Sequence, residues 1–267
     1  MKSRLALMLI VLLPILAACS KQEGAVPASE TAPAVQAPAA TETPAATPAP
    51  APTEPASEVA SANTNSVTAP AGPTLVPGVD YVEIQGGQPF DPLNGKIEVT
   101  EVFGYVCPAC NAFQPLIRSW KAKLPADVRL TYVPALFGPD WLPYAHAFYA
   151  AESLGLVEKT HDAVYNEIHA QNSLPGEGDK PTAPPIAAFY AKYGVSAEQF
   201  ANTMNSFAIN GKINKAKQYA LRSQISGTPT LIVNGKYRVV GKSFEDMLRI
   251  ADHLIAQERA AQAGAAK

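Results

Sequence analysis

The run Ile97-Glu98-Val99-Thr100-Glu101-Val102-Phe103-Gly104-Tyr105-Val106-Cys107-Pro108-Ala109-Cys110 decides the fold. Ile97 to Phe103 reads as a strand. Beyond Gly104-Tyr105-Val106, the residues Phe113, Leu116, Ile117 and Trp120 recur at i, i+3, i+4 and i+7, the period of a helix. Cys107 then stands at the helix N-terminus, with Cys110 in the first turn. Unpaired N–H groups and the helix dipole favour a negative charge there, so the spacing predicts a stabilised Cys107 thiolate. Pro108 suits the first helical position, where a missing N–H costs nothing.

The strand carries a second signal. Alternation puts Ile97, Val99, Glu101 and Phe103 on one face, so a carboxylate joins three apolar side chains just before the cysteines. Buried and unpaired, Glu101 has a raised pKa and can exchange protons with Cys110. The alternatives are a face open to solvent at that point, or a salt bridge.

The chain has 267 residues with 25 Pro, 9 Phe and 2 Trp. The proline excess falls between Glu23 and Pro73, a stretch without an aromatic residue that cannot bury a core. Three of the 21 Lys and Arg and five of the 23 Asp and Glu precede Leu75, which leaves 18 of each sign beyond it. A neutral folded part makes a nucleic-acid footprint an unexpected function.

Lys2 and Arg4 open a basic region, and the apolar run Leu5 to Leu16 is too short to span a bilayer, so residues 1–18 read as a secretory signal. The end of the run, Leu16-Ala17-Ala18-Cys19, resembles the bacterial lipobox, which implies cleavage before Cys19 and a diacylglycerol on it. The alternative is an ordinary leader cut after Ala18. Residues 19–75 then form a disordered Pro/Ala-rich tether, which as a flexible coil of ~55 residues averages about 40 Å. Ser20 beside the lipid points to the outer membrane.

With Cys19 set aside, Cys107 and Cys110 are the remaining thiols, in a chain addressed to an oxidising compartment. Three readings of the pair stand: a redox-active disulfide, a structural bridge and half of a metal site. A bridge over so short a ring stabilises by only roughly 2 kcal/mol. A zinc ion needs further ligands, and His146, His161, His169 and His253 form no ligand-spaced pair. His161 and His169, eight residues apart, are expected in solvated or capping roles.

Near the other end, Ser226-Gly227-Thr228-Pro229-Thr230 precedes the apolar run Leu231-Ile232-Val233, then Asn234-Gly235, then Lys236 to Val240. Asn-Gly between apolar runs predicts a hairpin, with Pro229 at the mouth of its first strand. Between the two halves, helical spacing covers Trp141 to Leu154, Glu158 to Ala170, Pro184 to Tyr193 and Ser196 to Phe207. A further helix covers Ile213 to Leu221. Phe137, Trp141, Tyr144 and Phe148 are expected in the core of that helical part.

These features together resemble the thioredoxin superfamily, and the length between them resembles its periplasmic disulfide oxidase branch, the DsbA family. The resemblance covers Val76 to Ala260. It implies an α/β thioredoxin-like fold over residues 76–262, interrupted by a helical insertion at about 137–206. It implies that Cys107 is attacked by substrate, that Cys110 resolves the mixed disulfide, and that Thr228 and a cis Pro229 lie against the pair. Glu101 takes the place of the family's buried acid, and Pro115 that of its helix-kinking proline. No cofactor or metal is implied beyond the Cys107–Cys110 disulfide.

The implied partners are newly exported or unfolded proteins with free thiols, a DsbB-like membrane protein that reoxidises the pair, and the membrane through the N-terminal lipid. The implied location is the periplasm. Two departures stand out. The family's best-known dipeptide is Pro-His, whereas here it is Pro108-Ala109, which implies a weaker oxidant. Where some members pair a lysine with the buried acid, this chain has Tyr132. A reductase or isomerase, or a tethered peptide-binding holdase with a structural disulfide, remain the alternative functions.

Overall fold

The computed structural model describes residues 72–265. These belong to one compact unit, Glu58–Lys267. The leader, Cys19 and all of the expected tether except residues 72–75 lie outside the described residues.

Five strands form one sheet in the order β1 (Tyr81–Glu83), β5 (Tyr237–Val239), β4 (Thr230–Val233), β2 (Ile97–Phe103), β3 (Val128–Pro134). β2 and β3 are parallel and joined by helix α1 (Pro108–Lys121), whereas β4 runs antiparallel to both β2 and β5. A parallel pair needs such a crossover, and the antiparallel pair needs only a tight turn. The hairpin turns at Asn234 and Gly235, both with positive φ (48° and 68°), as the Asn-Gly pair predicts. Gly235 has a second reason to lack a side chain, because a Cβ there would lie 2.0 Å from the Gln88 carbonyl oxygen.

All seven residues of β2 are buried. The strand is central and both faces are covered. Ile97 and Val99 pack with Phe113, Ile117 and Trp120 of α1 and with Ile250, Leu254 and Ile255 of α7 (Phe244–Ala265). Val102 and Phe103 join a second cluster built by the helices α2 (Trp141–Ser153), α3 (Val157–His169), α4 (Ala183–Ala191), α5 (Ala197–Met204) and α6 (Phe207–Arg222), which lie between β3 and β4.

Two expectations about these helices need correction. The helix expected from Ser196 to Phe207 is α5, which ends at Met204, and Phe207 already opens α6, the helix expected only from Ile213. Ser196 caps α5 by accepting from the Gln199 N–H at 3.0 Å, and Ser206 caps α6 by accepting from the Ile209 N–H at 3.4 Å. A serine before an apolar residue restarted the helix where the hydrophobic period alone ran on. Trp141, Tyr144 and Phe148 are core residues, but Phe137 is 47% exposed and only leans its ring on Trp141.

The insertion meets the sheet at Gly104. A Cβ on Gly104 would lie 2.1 Å from the Trp141 ring, so the tryptophan is seated on bare backbone at the exit of β2. Gly104→Ala is expected to destabilise the protein by about 3 kcal/mol, at the upper end of overpacking costs because an indole on the first turn of α2 has nowhere to swing. Urea unfolding checks this, and Trp141→Leu in the same chain should recover part of the loss.

Candidate active site

Cys107 is the N-cap residue of α1, and its φ of −76° and ψ of 117° are extended, as that position requires. Its sulfur stands where a capping oxygen usually does, accepting from the Cys110 N–H at 3.4 Å. Pro108 opens the helix proper, and Pro115 sits inside it. Cys107 and Cys110 are both free in this structure. Cys107 is 7% exposed and Cys110 is fully buried. Of the two sulfurs, the one at the helix end is the more accessible.

The second cluster is brought to the first. The Thr228–Pro229 peptide is cis, and the Cys107 thiol faces the Thr228 carbonyl at 3.6 Å. β4 pairs with β2 through Val102↔Thr230 and Glu101↔Leu231, which sets the proline loop beside the N-terminus of α1.

These contacts pull the Cys107 pKa down to about 5. A hydrogen bond from the Cys110 thiol contributes most; burial opposes it, and the Thr228 hydroxyl and the backbone N–H groups of Cys110 and Ala109 add to the lowering. Cys110 goes the other way. Burial raises its pKa far above that of a free thiol, and its bond to Cys107 and the charge of that neighbour add to the rise.

Two glutamates on β2 are both fully buried, with opposite surroundings. Glu98 accepts from the backbone N–H groups of Phe90 (2.6 Å) and Asp91 (3.2 Å) and from the Thr131 hydroxyl (3.1 Å), and pairs with Arg129 at 2.8 Å. It is a structural ion pair. Neither carboxyl oxygen of Glu101 has a partner among the described residues. Burial raises its pKa to about 8, and the nearby Cys107 charge adds to the rise. Neither solvent nor a salt bridge relieves it. Tyr132 is its register partner on β3, and burial raises that phenol's pKa, with Glu101 the next cause.

The site also contains residues that the sequence reading placed elsewhere. His161 is 6% exposed and hydrogen-bonds the Tyr105 hydroxyl through Nδ1 at 2.9 Å. Burial, helped by Lys121, holds its pKa down to about 3, so it is a neutral core residue, neither solvated nor capping. His169 reaches the backbone carbonyl of Tyr105 at 2.7 Å. The available signal was the i, i+4, i+8 stripe His161, Tyr165, His169 flanked by Val164 and Ile168, which marks a buried helix face. Among the described residues no group of three or more His, Cys, Asp or Glu could hold a metal ion.

The sequence and the fold are similar to those of known proteins. Over 187 residues the chain is 44% identical to the thiol:disulfide interchange protein DsbA of Pseudomonas aeruginosa, which covers 69% of this chain and 86% of that protein. The chain belongs to the DsbA family. DsbA of Pseudomonas syringae is 38% identical over 210 residues, 77% of this chain and 95% of the relative. Residues 137–251 match the family model described as DSBA-like thioredoxin domain. The crystal structure of DsbA from Xylella fastidiosa superimposes with a TM-score of 0.67 at 45% identity, covering 70% of this chain and 98% of the other. That of Pseudomonas aeruginosa DsbA gives 0.64 at 43% identity, covering 70% and 96%. The chain is thus a disulfide oxidoreductase with a thioredoxin-like DsbA fold.

The paired shifts at the site set a pH dependence for the reduced protein. Glu101 has a folded pKa near 8 against an ordinary 4.5, so its favourable contribution is complete below pH 4.5 and is lost as pH rises towards 8. Glu101→Gln is expected to match the wild type at low pH. It should become more stable by up to ~1.4 kcal/mol per pH unit through that window. Urea midpoints of the two reduced proteins at pH 5 and pH 8 check this, and a gain independent of pH counts against it.

Proposed function

We propose that this protein donates its Cys107–Cys110 disulfide to exported proteins, with Cys107 as the attacked sulfur. The observation that carries this reading is the unequal treatment of the two sulfurs, one held as a thiolate at the α1 N-terminus and the other sealed as a thiol. A substrate thiolate attacks Cys107, the Cys107–Cys110 bond breaks, and Cys110 leaves with the electron pair. A proton must then reach the Cys110 sulfur, because burial forbids a lasting thiolate there. Glu101, neutral at pH 7 and electrostatically coupled to Cys110, supplies it.

A second substrate thiolate then attacks the substrate sulfur of the mixed disulfide and expels Cys107. A low pKa makes Cys107 the better leaving group, so the intermediate resolves towards oxidised substrate and reduced enzyme. Two substrate thiols are oxidised and the Cys107–Cys110 pair is reduced. The reduced pair is returned to the disulfide by a DsbB-like membrane partner. Thr228 and Pro229 form the wall on which the substrate backbone lies. A structural bridge has no use for a thiolate, which argues against the tethered holdase reading, and a well-stabilised reduced form argues against a reductase.

Cys107→Ser is expected to abolish exchange, whereas Cys110→Ser should accumulate mixed disulfides, because its remaining sulfur is the reactive one and no resolving thiol follows. Non-reducing electrophoresis after incubation with a disulfide-bonded peptide, whose S–S bond the Cys107 thiolate opens to form the mixed disulfide and release one peptide thiolate, reads both. Equal trapping by the two variants would overturn the assignment.

The leader supports a periplasmic location, and the lipobox-like end of that leader supports a lipid on Cys19 and attachment to the outer membrane. Among the described residues no helix is long and apolar enough to cross a membrane. Cys19→Ala is expected to move the protein from the membrane to the soluble fraction with unchanged exchange kinetics. Mass spectrometry of the wild-type N-terminus, finding or failing to find acyl groups, decides the point.

A further inference from the structure

The segment that carries the chain from β2 to Cys107 is a four-residue turn, closed by the Cys107 N–H donating to the Gly104 carbonyl at 3.1 Å. The peptide unit between Tyr105 and Val106 is the middle of that turn. Being central, it is the unit that reorients most easily without breaking the closing bond. In this structure it is tied. The Tyr105 carbonyl, which can only accept, lies 2.7 Å from His169 Nε2, so the imidazole carries its proton on Nε2 and donates it.

Four further contacts surround the same turn. Tyr105 is held at its other end by His161, and its ring stands edge-on to Tyr165 at 5.1 Å. Tyr165 in turn stacks on the His169 ring at 6.0 Å. On the opposite side Trp141 presses on Gly104. Helix α3 therefore grips one residue by its backbone and its hydroxyl, two positions before the sulfur.

We propose that His169 is a positioning residue of the exchange reaction: by donating to the Tyr105 carbonyl it fixes the central peptide of the Gly104–Cys107 turn and so aims the Cys107 sulfur at the α1 N-terminus and Thr228. The planar peptide makes this rigid, because fixing one carbonyl fixes the following N–H and the direction in which the chain enters Cys107. The bond survives whether the ring is neutral or charged, since Nε2–H donates in both forms. His169 is half-buried, and its hydrogen bond to the Tyr105 carbonyl, beside the ring stack on Tyr165, is what links it to the turn that leads into Cys107.

The inference rests on the proposed role of Cys107 and is tested with that role as a separate arm. In the full chain, His169→Ala is expected to raise the Cys107 pKa, read from thiolate absorbance. It should also weaken the protein as an oxidant against glutathione by up to about tenfold, which for a two-electron couple is about 30 mV. His169→Gln, whose amide can donate to the same carbonyl, should restore both values to within about twofold of wild type. His169→Met fills the space without a donor and replaces the alanine variant if that does not fold.

Unchanged Cys107 values in the donor-less variant, even with lowered stability, overturn the proposal. So does a glutamine variant displaced as far as the alanine one. Trapping by Cys110→Ser in an otherwise wild-type chain shows whether the parent reading stands. If it traps and the His169 variants behave as wild type, only the positioning role fails.

Discussion

One sulfur occupies the N-cap of α1, and the rest of the site follows from keeping it ionised there. A thiolate at a helix end needs donors on one side and a cover on the other that does not desolvate it without compensation. The donors are the first N–H groups of α1 and the Cys110 thiol, and the cover is the Thr228–Pro229 loop. Neither would be in place without β2, which launches α1 from one end and pairs with β4 along its length. The antiparallel β2–β4 pairing spaces the proline loop from the cysteine by hydrogen-bond register.

A second constraint is electrostatic. The charge on Cys107 adds to the cost of ionising Glu101, whereas Glu98 on the same strand is paired with Arg129. The helix end decides which of the two ionises. Cys107 has the donors, Glu101 has none, so at neutral pH the charge sits on sulfur and the proton on the carboxyl. For the exchange proposed above, that division holds one thiolate to leave and one proton to give. Tyr132, the register partner opposite, offers the carboxyl no counter-ion.

Much of this was readable in the sequence, where the chemistry is local. The strand–turn–helix around Cys107, the cap, the burial of Glu101 and the Asn234-Gly235 hairpin depend on neighbours within a few residues, and their patterns are specific. What was not readable depends on contacts between distant segments. Glu98 lies on the strand face opposite Glu101, and period-two alternation does not show that both faces are covered; the buried strand and the Glu98 hydrogen bonds do. His161 and His169 were misjudged because a polar side chain on a helix says nothing of what faces it. Their partner, Tyr105, is some sixty residues away in the chain.

The same distinction bears on Ala109. A histidine in that position would add a donor or a charge to the thiolate, which is the ground for expecting a weaker oxidant here. The stabilising groups that this structure does supply are the Cys110 thiol, the Thr228 hydroxyl and the backbone N–H groups of Ala109 and Cys110. None of them belongs to the side chain at 109. The largest contribution is the Cys110 thiol, while the α1 N–H groups and the Thr228 loop, set by the β2–β4 register, are written into the fold. The dipeptide therefore tunes the potential over a limited range. The fold sets the protonation state from which that tuning starts, and the turn held by α3 decides how well the sulfur meets it.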